Sequence, residues 1–594
     1  MTTPITDHYT SAQDAIGQGV DPTVSTVIDG GCALTLRPAV VVMDLERLGT
    51  MQPSRLSFMR TLVRRMVQEA WRITETRFAL DDEGHGEAVY CLKAGSESYQ
   101  FVVFSRPLED ALRNDRVISN QWDLTMALVR GDLSDAQLEQ LRINVPLQEA
   151  GRMDDNVLVL SRANRSLRSF DAVVARLAAG LQPDIERLKV VGYLCRTTAV
   201  YGSGKFGMAG WHVVKTNCRS FRTPFSGEMF TCYMLRHFSC LQVEHLAHVQ
   251  SPGTAVTIAP EIKRYIGIGN ATGLGMAPFL IKHPVLISHW MTQREIALAR
   301  VLNQTDCDAP KLNSLQSMLG QVMQHLRETT VDAAYQNSRN QSLIAACLDL
   351  VAKLSEPAFC AGLTGAGWKA LQTFIVARYG RAMEELVHVL LFELYPHLVD
   401  PLEEAMAADE SLDLDSGMTL VELLVLLETH YDWALNIDFE DPNHHALFWY
   451  RSEEKMEPRL GDRACDAGAE REMPMLIALG VRQCFEAMQQ FLAKEPDSLV
   501  IDFLIGHPDQ LATVRRVQTL CGLPYGDIRG NLSDRNLEPM HLLRAKLSFF
   551  GVGKFDPKSK LWVRNTMFQG APIIEDLSHD LNPDHWYFPT APVL

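Results

Sequence analysis

The chain has 594 residues, 46 % of them hydrophobic and 22 % charged, with a formal net charge of −16. That length and apolar content suit roughly two to four folded domains with a sizeable core. The acidic balance, with no basic stripe longer than Arg60 to Arg65, excludes a wrapper of phosphate backbones and hence a nucleic-acid partner, yet leaves room for local pockets that take small anions.

Met1 to Gly19 is polar and carries neither the basic n-region nor the apolar h-region of a signal peptide. The most apolar run, Leu386 to Leu394, is broken by His388 and Glu393 and is too short to span a bilayer. A cytoplasmic protein with no membrane partner is expected. The 12 cysteines are scattered without a C-x-x-C, so neither a zinc ribbon nor a redox pair is supported. Cys347 and Cys484 read as small reduced core residues.

Residues 1–38, rich in Thr, Asp and Gly, read as a flexible N-terminal arm. Residues 39–165 read as an α+β module. Leu56, Met59, Leu62, Val63, Met66, Val67 and Ala70 recur at helical spacing and predict an amphipathic helix over Ser54 to Glu75. A β-hairpin follows over Glu87 to Lys93 and Tyr99 to Phe104, then a strand at Trp122 to Val129 and a helix from Ser134. Residues 166–402 read as a helical domain with glycine-rich loops, its helices at 167–180, 183–201, 224–249, 284–303, 311–328, 341–355 and 367–395. An acidic linker is expected at 403–418. Residues 419–594 read as helices at 419–431, 442–456 and 472–494, then a buried strand at Leu499 to Ile505 and a hairpin of Leu543 to Phe550 with Leu561 to Thr566. The expected fold is mainly α with α+β modules: a large helical central region and small antiparallel-sheet modules near both ends.

Two glycine-rich loops stand out, Gly202-Ser203-Gly204-Lys205-Phe206-Gly207 and Gly267-Ile268-Gly269-Asn270-Ala271-Thr272-Gly273-Leu274-Gly275. The first lacks the distal Gly and the Ser or Thr of a Walker A motif, since Ala199 and Phe206 stand there, and its upstream pattern reads as helix. In the second, the third glycine comes one residue late for a dinucleotide fingerprint, and Pro260 to Ile266 before it reads as a short helix with Pro at its first position. What remains is helix capping and close packing, or a backbone-lined pocket to which Asn270 and Thr272 add polar groups. A faint echo, Gly551-Val552-Gly553-Lys554-Phe555, repeats part of the first loop.

Between the loops, Thr223-Pro224 signals a helix start, with Thr as N-cap. His237, Glu244 and His248 fall on one stripe of that helix with Phe230, Tyr233 and Leu241. The stripe is read either as a partly exposed face or as the lining of a cleft where His and Glu do acid–base work. His245 and His248 form an H-x-x-H string that matches neither a zincin nor a di-iron motif. Farther on, Tyr450, Arg451, Arg459 and Arg463 suit bidentate recognition of an anion, or else pair with Glu453, Glu454, Glu457 and Asp462. His430, Asp432, Asp438, His444 and His445 match no familiar metal-ligand spacing.

The reading adopted is an enzyme of lyase or transferase class acting on a small carboxylate or phosphate metabolite by metal-independent acid/base chemistry. Lys205, Glu228, His237 and Glu244 are the acid–base candidates; Lys205 beside Phe206 suits a desolvated amine of lowered pKa. Tyr201, Arg219, Arg222, Asn270, Thr272, Tyr450, Arg451 and Arg459 are the substrate-binding candidates. No metal ligand is assigned and no cofactor is named. A homo-oligomer is expected. Two rivals stand beside this reading: a metal- or cofactor-dependent enzyme using the His, Glu and Asp clusters, and a non-catalytic helical assembly or interaction protein.

Overall fold

A computed structural model describes residues 25–29, 32–112, 121–147, 156–197, 218–273, 280, 283–329, 331, 333–406, 412–438, 449–452, 458–460, 469–473, 476–529, 540–559, 562–578 and 586–593. The chain is mainly helical and divides into two compact units. One comprises Met1–Gly49, Ala277–Leu302 and Ala408–Leu542; the other comprises Thr50–Met276, Asn303–Ala407 and Leu543–Leu594.

The larger unit is built on a sheet of nine strands: β1 (Arg72–Leu80), β2 (Gly86–Ala94), β3 (Glu97–Ser105), β4 (Leu124–Arg130), β5 (Val157–Arg165), β6 (Tyr193–Thr197), β7 (Gly267–Gly273), β8 (Lys554–Ser559) and β9 (Trp562–Met567). Their order is β8-β9-β7-β6-β5-β4-β3-β2-β1, and every neighbouring pair is antiparallel except β6 and β7. The central strands β3 to β5 are buried almost continuously, because side chains pointing to either face are covered. Val102 and Phe104 of β3, Ala127 and Val129 of β4, and Val157 and Leu160 of β5 pack with Leu138, Leu141 and Val145 of the helix Asp135–Leu147. Leu128 and Val159, on the opposite face, lie against Gly227. Each such Leu or Val contributes roughly 1.5–3 kcal/mol by leaving water.

The longer helices of the unit include α1 (Phe58–Gln68), α2 (Ser226–Gln250), α3 (Ala309–Glu328), α4 (Ala334–Leu354), α5 (Pro357–Tyr379) and α6 (Arg381–Leu394), and α7 (Met540–Phe550) belongs to it from Leu543 onward. α2 is buried along most of its length and packs on β4 to β7, with polar side chains such as Glu228, Arg236 and Gln242 buried among its apolar ones.

Several expectations are corrected. Gly267 to Gly273 of the second glycine-rich loop is the strand β7, paired on both edges, while Leu274 and Gly275 lie outside the described residues. Its glycines remove side chains that would collide. A Cβ on Gly267 would meet the Met567 carbonyl oxygen at 2.5 Å, and one on Gly269 would meet the Tyr193 ring at 2.6 Å. The helix expected over 183–201 is Ile185–Val191, closed by Gly192 at φ 75°, after which Tyr193, Leu194 and Cys195 enter β6 fully buried. A run buried on both faces carries no period by which strand and helix differ. For the same reason Leu543 to Phe550, expected as a strand, is the helix α7; Leu499 to Ile505, also expected as a strand, is the helix Val500–Gly506, with Val500, Phe503 and Leu504 buried and Ile501 and Ile505 exposed. The C-terminal hairpin is instead β8 with β9.

The amphipathic helix at the start of the larger unit stops at Gln68, Ala70 turns at φ 51°, and β1 begins at Arg72. The helix expected over 367–395 is interrupted by Gly380 at φ 78° and becomes the ends of α5 and α6. α2 starts at Ser226 rather than Pro224, with Phe225 at φ 60° as its N-cap in place of Thr223. The echo string has its context reversed: Gly551 to Phe555 leads from the helix α7 into β8, and the first string comes after the strand β6.

The smaller unit carries an antiparallel hairpin, Ser25–Asp29 with Cys32–Leu36, inside the stretch expected as a flexible arm. Its helices Leu420–His430, Leu476–Leu492, Val500–Gly506 and Leu511–Leu520 share one core around Leu423, Leu427, Val481, Phe503 and Val517. Where a helix was expected over 442–456, Trp449–Ser452 is the middle strand of a three-stranded sheet, and the rest of that span lies outside the described residues. Among the described residues no helix is long and apolar enough to cross a membrane.

Candidate functional site

The basic stripe singled out in the sequence lies on α1 and just before it, and it faces inward. Arg55 pairs with Glu393 at 2.9 Å and with Asp400 at 2.6 Å. Arg60 grips both oxygens of Glu393, at 2.6 and 2.9 Å. Arg64 pairs with Glu403 at 2.8 Å, and Arg65 with Glu404 at 3.3 Å. The acids come from the end of α6 and the turn Asp400–Met406, so Glu403 is buried against Arg64 instead of standing in a solvated linker. In this block the guanidinium groups meet carboxylates, the condition under which buried charge is tolerated.

The candidates on α2 are spread along it. Glu228 and Glu244 are sixteen residues apart, roughly 24 Å of helix, so they cannot share one small substrate. Glu228 is buried in the first turn, and burial pushes its carboxyl up to about 7. His237 packs edge-on against the Tyr90 ring at 5.7 Å, and burial pulls its imidazole down to about 4. Glu244 is occupied: it pairs with Lys263 at 2.9 Å and accepts the Ile258 N–H at 2.8 Å.

Arg222 pairs with Glu404, while Arg219 is exposed and donates its backbone N–H to Glu97 at 3.0 Å. Asn270 is buried in β7 and donates to the Thr197 carbonyl at 2.7 Å; Thr272 follows in the same strand. Tyr450 and Arg459 are cross-strand partners in the small sheet of the other unit, with Arg451 adjacent. Tyr201 and Lys205 lie outside the described residues. Of the residues weighed as metal ligands, His430, Asp432 and Asp438 are described, and among the described residues no three His, Cys, Asp or Glu side chains converge as a metal-holding group.

A different place collects polar groups around open space. A cleft of about 70 Å³ in the larger unit lies between α3, α4, α7, the turn Gly551 to Gly553 and the terminal residues Trp586 to Pro589. Arg544 of α7 projects into its wall. Its Nη1 donates to Gln336 Oε1 at 3.1 Å and its Nη2 reaches Gln52 Oε1 at 3.5 Å. Its Nε is buried without a hydrogen-bond partner, and the guanidinium carbon lies 5.6 Å from the Phe555 ring centroid. Gln336 is held in that orientation because its amide nitrogen donates to Asn340 at 2.8 Å. Among the described residues no carboxylate partners Arg544. Burial, and secondarily the positive charge of Arg339, push its proton affinity well below the ordinary arginine range.

His325 of α3 also lines the cleft. Its Nδ1 hydrogen-bonds the Pro589 carbonyl at 2.7 Å, and burial lowers its pKa, so the ring is neutral near pH 7. Gly551 shapes the floor. It sits at φ 102°, and a Cβ there would meet Ser57 Oγ at 2.6 Å. The arrangement offers two guanidinium groups, Arg60 matched by Glu393 and Arg544 bonded to glutamine oxygens, with several amide groups and an aromatic wall.

Comparison of the chain with protein-family models, with curated proteins and with solved structures finds no match. The cleft therefore rests on its own chemistry. Arg544 escaped the reading of the sequence because it stood in an apolar run taken for a strand. The signal was present: Arg544 and Lys546 interrupt Leu542 to Phe550, and basic side chains in a segment otherwise fit for a core ask for a partner.

Proposed function

We propose that the protein binds a small carboxylate or phosphate compound in the Arg544 cleft and that this compound is the metabolite it acts on. One observation carries the reading: a buried-edge guanidinium whose partners are neutral amides, repelled by a second arginine. A positive charge taken from water without a counter-charge is costly, and an anion in the adjacent space would repay that cost. Arg suits the task because its planar fork meets carboxylate or phosphate oxygens bidentately.

The volume limits the ligand. At about 70 Å³ the cleft is half the size of the cavity of about 150 Å³ that accepts benzene, so it takes one acid headgroup while the remainder of a larger ligand stays at the mouth. The ligand class is thus the one expected from the sequence, but the place is different, since Glu228, His237 and Glu244 do not line this cleft. Calorimetric titration with phosphate, acetate and, as a cationic control, choline tests the reading. Binding of an anion that is lost in Arg544→Gln is expected; equal binding by wild type and Arg544→Gln would refute it.

A second reading, as an interaction protein, is favoured by one feature of the smaller unit. Val421 and Val425 of Leu420–His430, and Ile501 and Ile505 of Val500–Gly506, are exposed, Ile505 at 76 %. Apolar side chains spaced i, i+4 on the outer face of two helices suit self-association. Sedimentation of Val425→Glu/Ile505→Glu beside wild type checks it: a fall in assembly size is expected, and an unchanged size would remove the reading.

A further inference from the structure

Resting on the anion reading of the Arg544 cleft, we propose that residues 586–593 form a strap that closes over the bound anion and is held shut by one face of α3. Trp586 to Pro589 make one wall of the cleft, yet they belong to no helix or strand. Their attachment is a ladder of side chains. Gln321 Nε2 donates to the carbonyls of Tyr587 at 2.9 Å and Phe588 at 3.2 Å. His325 Nδ1 bonds the Pro589 carbonyl, and Glu328 accepts the Ala591 N–H at 2.8 Å. Gln321, His325 and Glu328 stand at i, i+4 and i+7, which places them along a single stripe of α3.

The strap is also strained. Phe588 adopts φ 49°, a left-handed conformation that a bulky aromatic residue takes only when its surroundings impose it. Phe568, at φ 56°, does the same, and its ring stacks on Trp586 with centroids 6.3 Å apart. The strap thus carries one strained residue and rests its Trp586 on another. A segment fixed by a few side-chain bonds and carrying backbone strain opens at lower cost than the sheet or α7, whose backbone ladders would have to break. His325 joins the two functions, because it lines the cleft and holds the strap.

The test uses the full chain and inorganic phosphate, with calorimetry run beside hydrogen exchange. If only the closed form binds, exchange of the Tyr587, Phe588, Thr590 and Ala591 amides slows up to roughly a hundredfold at a phosphate concentration of 100 Kd, while the edge strand β1 is unchanged. Gln321→Ala, which keeps the native circular dichroism, weakens phosphate binding about two- to tenfold through loss of its hydrogen bonds. Phosphate that binds without slowing exchange at 587–591, or that binds Gln321→Ala as tightly as wild type, overturns the strap and leaves the anion cleft standing. Absence of binding by both phosphate and acetate in calorimetry overturns the cleft itself, and the strap with it.

Discussion

Arg60 and Arg544 sit in the same unit and are both withdrawn from bulk water, yet their surroundings differ. Arg60 donates to both oxygens of Glu393, within a block where Arg55, Arg64 and Arg65 are also matched by acids. Both arginines line the cleft and each lies near an aromatic ring, Arg60 at 5.9 Å from Tyr587 and Arg544 at 5.6 Å from Phe555, but Arg544 is bonded to two glutamine oxygens where Arg60 has a carboxylate. The first region uses arginine as a structural tie between α1 and the segment after α6. Arg544, in the wall of the cleft that Arg60 also lines, has no carboxylate partner among the described residues. A buried arginine is therefore no indicator of function by itself; the state of its counter-charge is what distinguishes the two.

The comparison breaks most visibly at Glu393. Glu393→Ala strips the carboxylate from both Arg55 and Arg60 and should cost about 3–5 kcal/mol, read by chemical denaturation. A loss below about 1 kcal/mol would mean that the block is not the structural tie described. Next comes the buried carboxyl of α2. Burial raises the Glu228 pKa from 4.5 to about 7 in the folded state. Its contribution is therefore fully present below pH 4.5 and is lost as pH rises through 7, amounting to about 3 kcal/mol. Glu228→Gln should match wild type near pH 4 and exceed it in stability near pH 8. A variant less stable than wild type at pH 8 would reverse the sign and show that the ionised form is held by the fold. Smaller still is Gly269→Ala, whose methyl group must displace the Tyr193 ring; a loss of about 1–3 kcal/mol is expected, and a neutral result would show that β7 tolerates bulk.

Much of the fold was legible where a turn, a cap or a wet face marks an element, whether or not the element is buried. The hairpin β2–β3, the helix Asp135–Leu147 and the helices Pro284–Leu302 and Leu420–His430 carry alternation or caps that a sequence displays, and Pro260–Tyr265 begins with its Pro as expected. What escaped lies in the centre. β6, β7 and α7 are covered on both sides, and there neither a period of 2 nor one of 3.6 survives. The glycines of β7 attracted notice for a sound reason, close approach of another group, but the group is Tyr193 and the neighbouring strand. Glycine density marks tight packing without saying whether a ligand or the chain itself fills the space.

The place of the candidate cleft was not legible in the sequence. An anion-binding arginine was expected, but Arg222 is matched by Glu404, and Arg544 comes to the cleft only because α7, α4 and the segment before α1 converge, at sequence separations of 208 and 492 residues. No local spacing encodes such a meeting. The weak echo string Gly551 to Phe555 did touch the site, since Gly551, Gly553 and Phe555 line the cleft. Its importance follows from the φ of Gly551 and the nearness of Ser57, which are properties of the folded chain.

The claim that Arg544 keeps its charge for a ligand is tested most directly by measuring the unfolding free energy of wild type and Arg544→Gln as phosphate is raised at constant ionic strength. The wild-type protein should gain about 2.7 kcal/mol at a phosphate concentration of 100 Kd, and Arg544→Gln should stay flat. Parallel gains in both proteins, or none in either, would contradict the account.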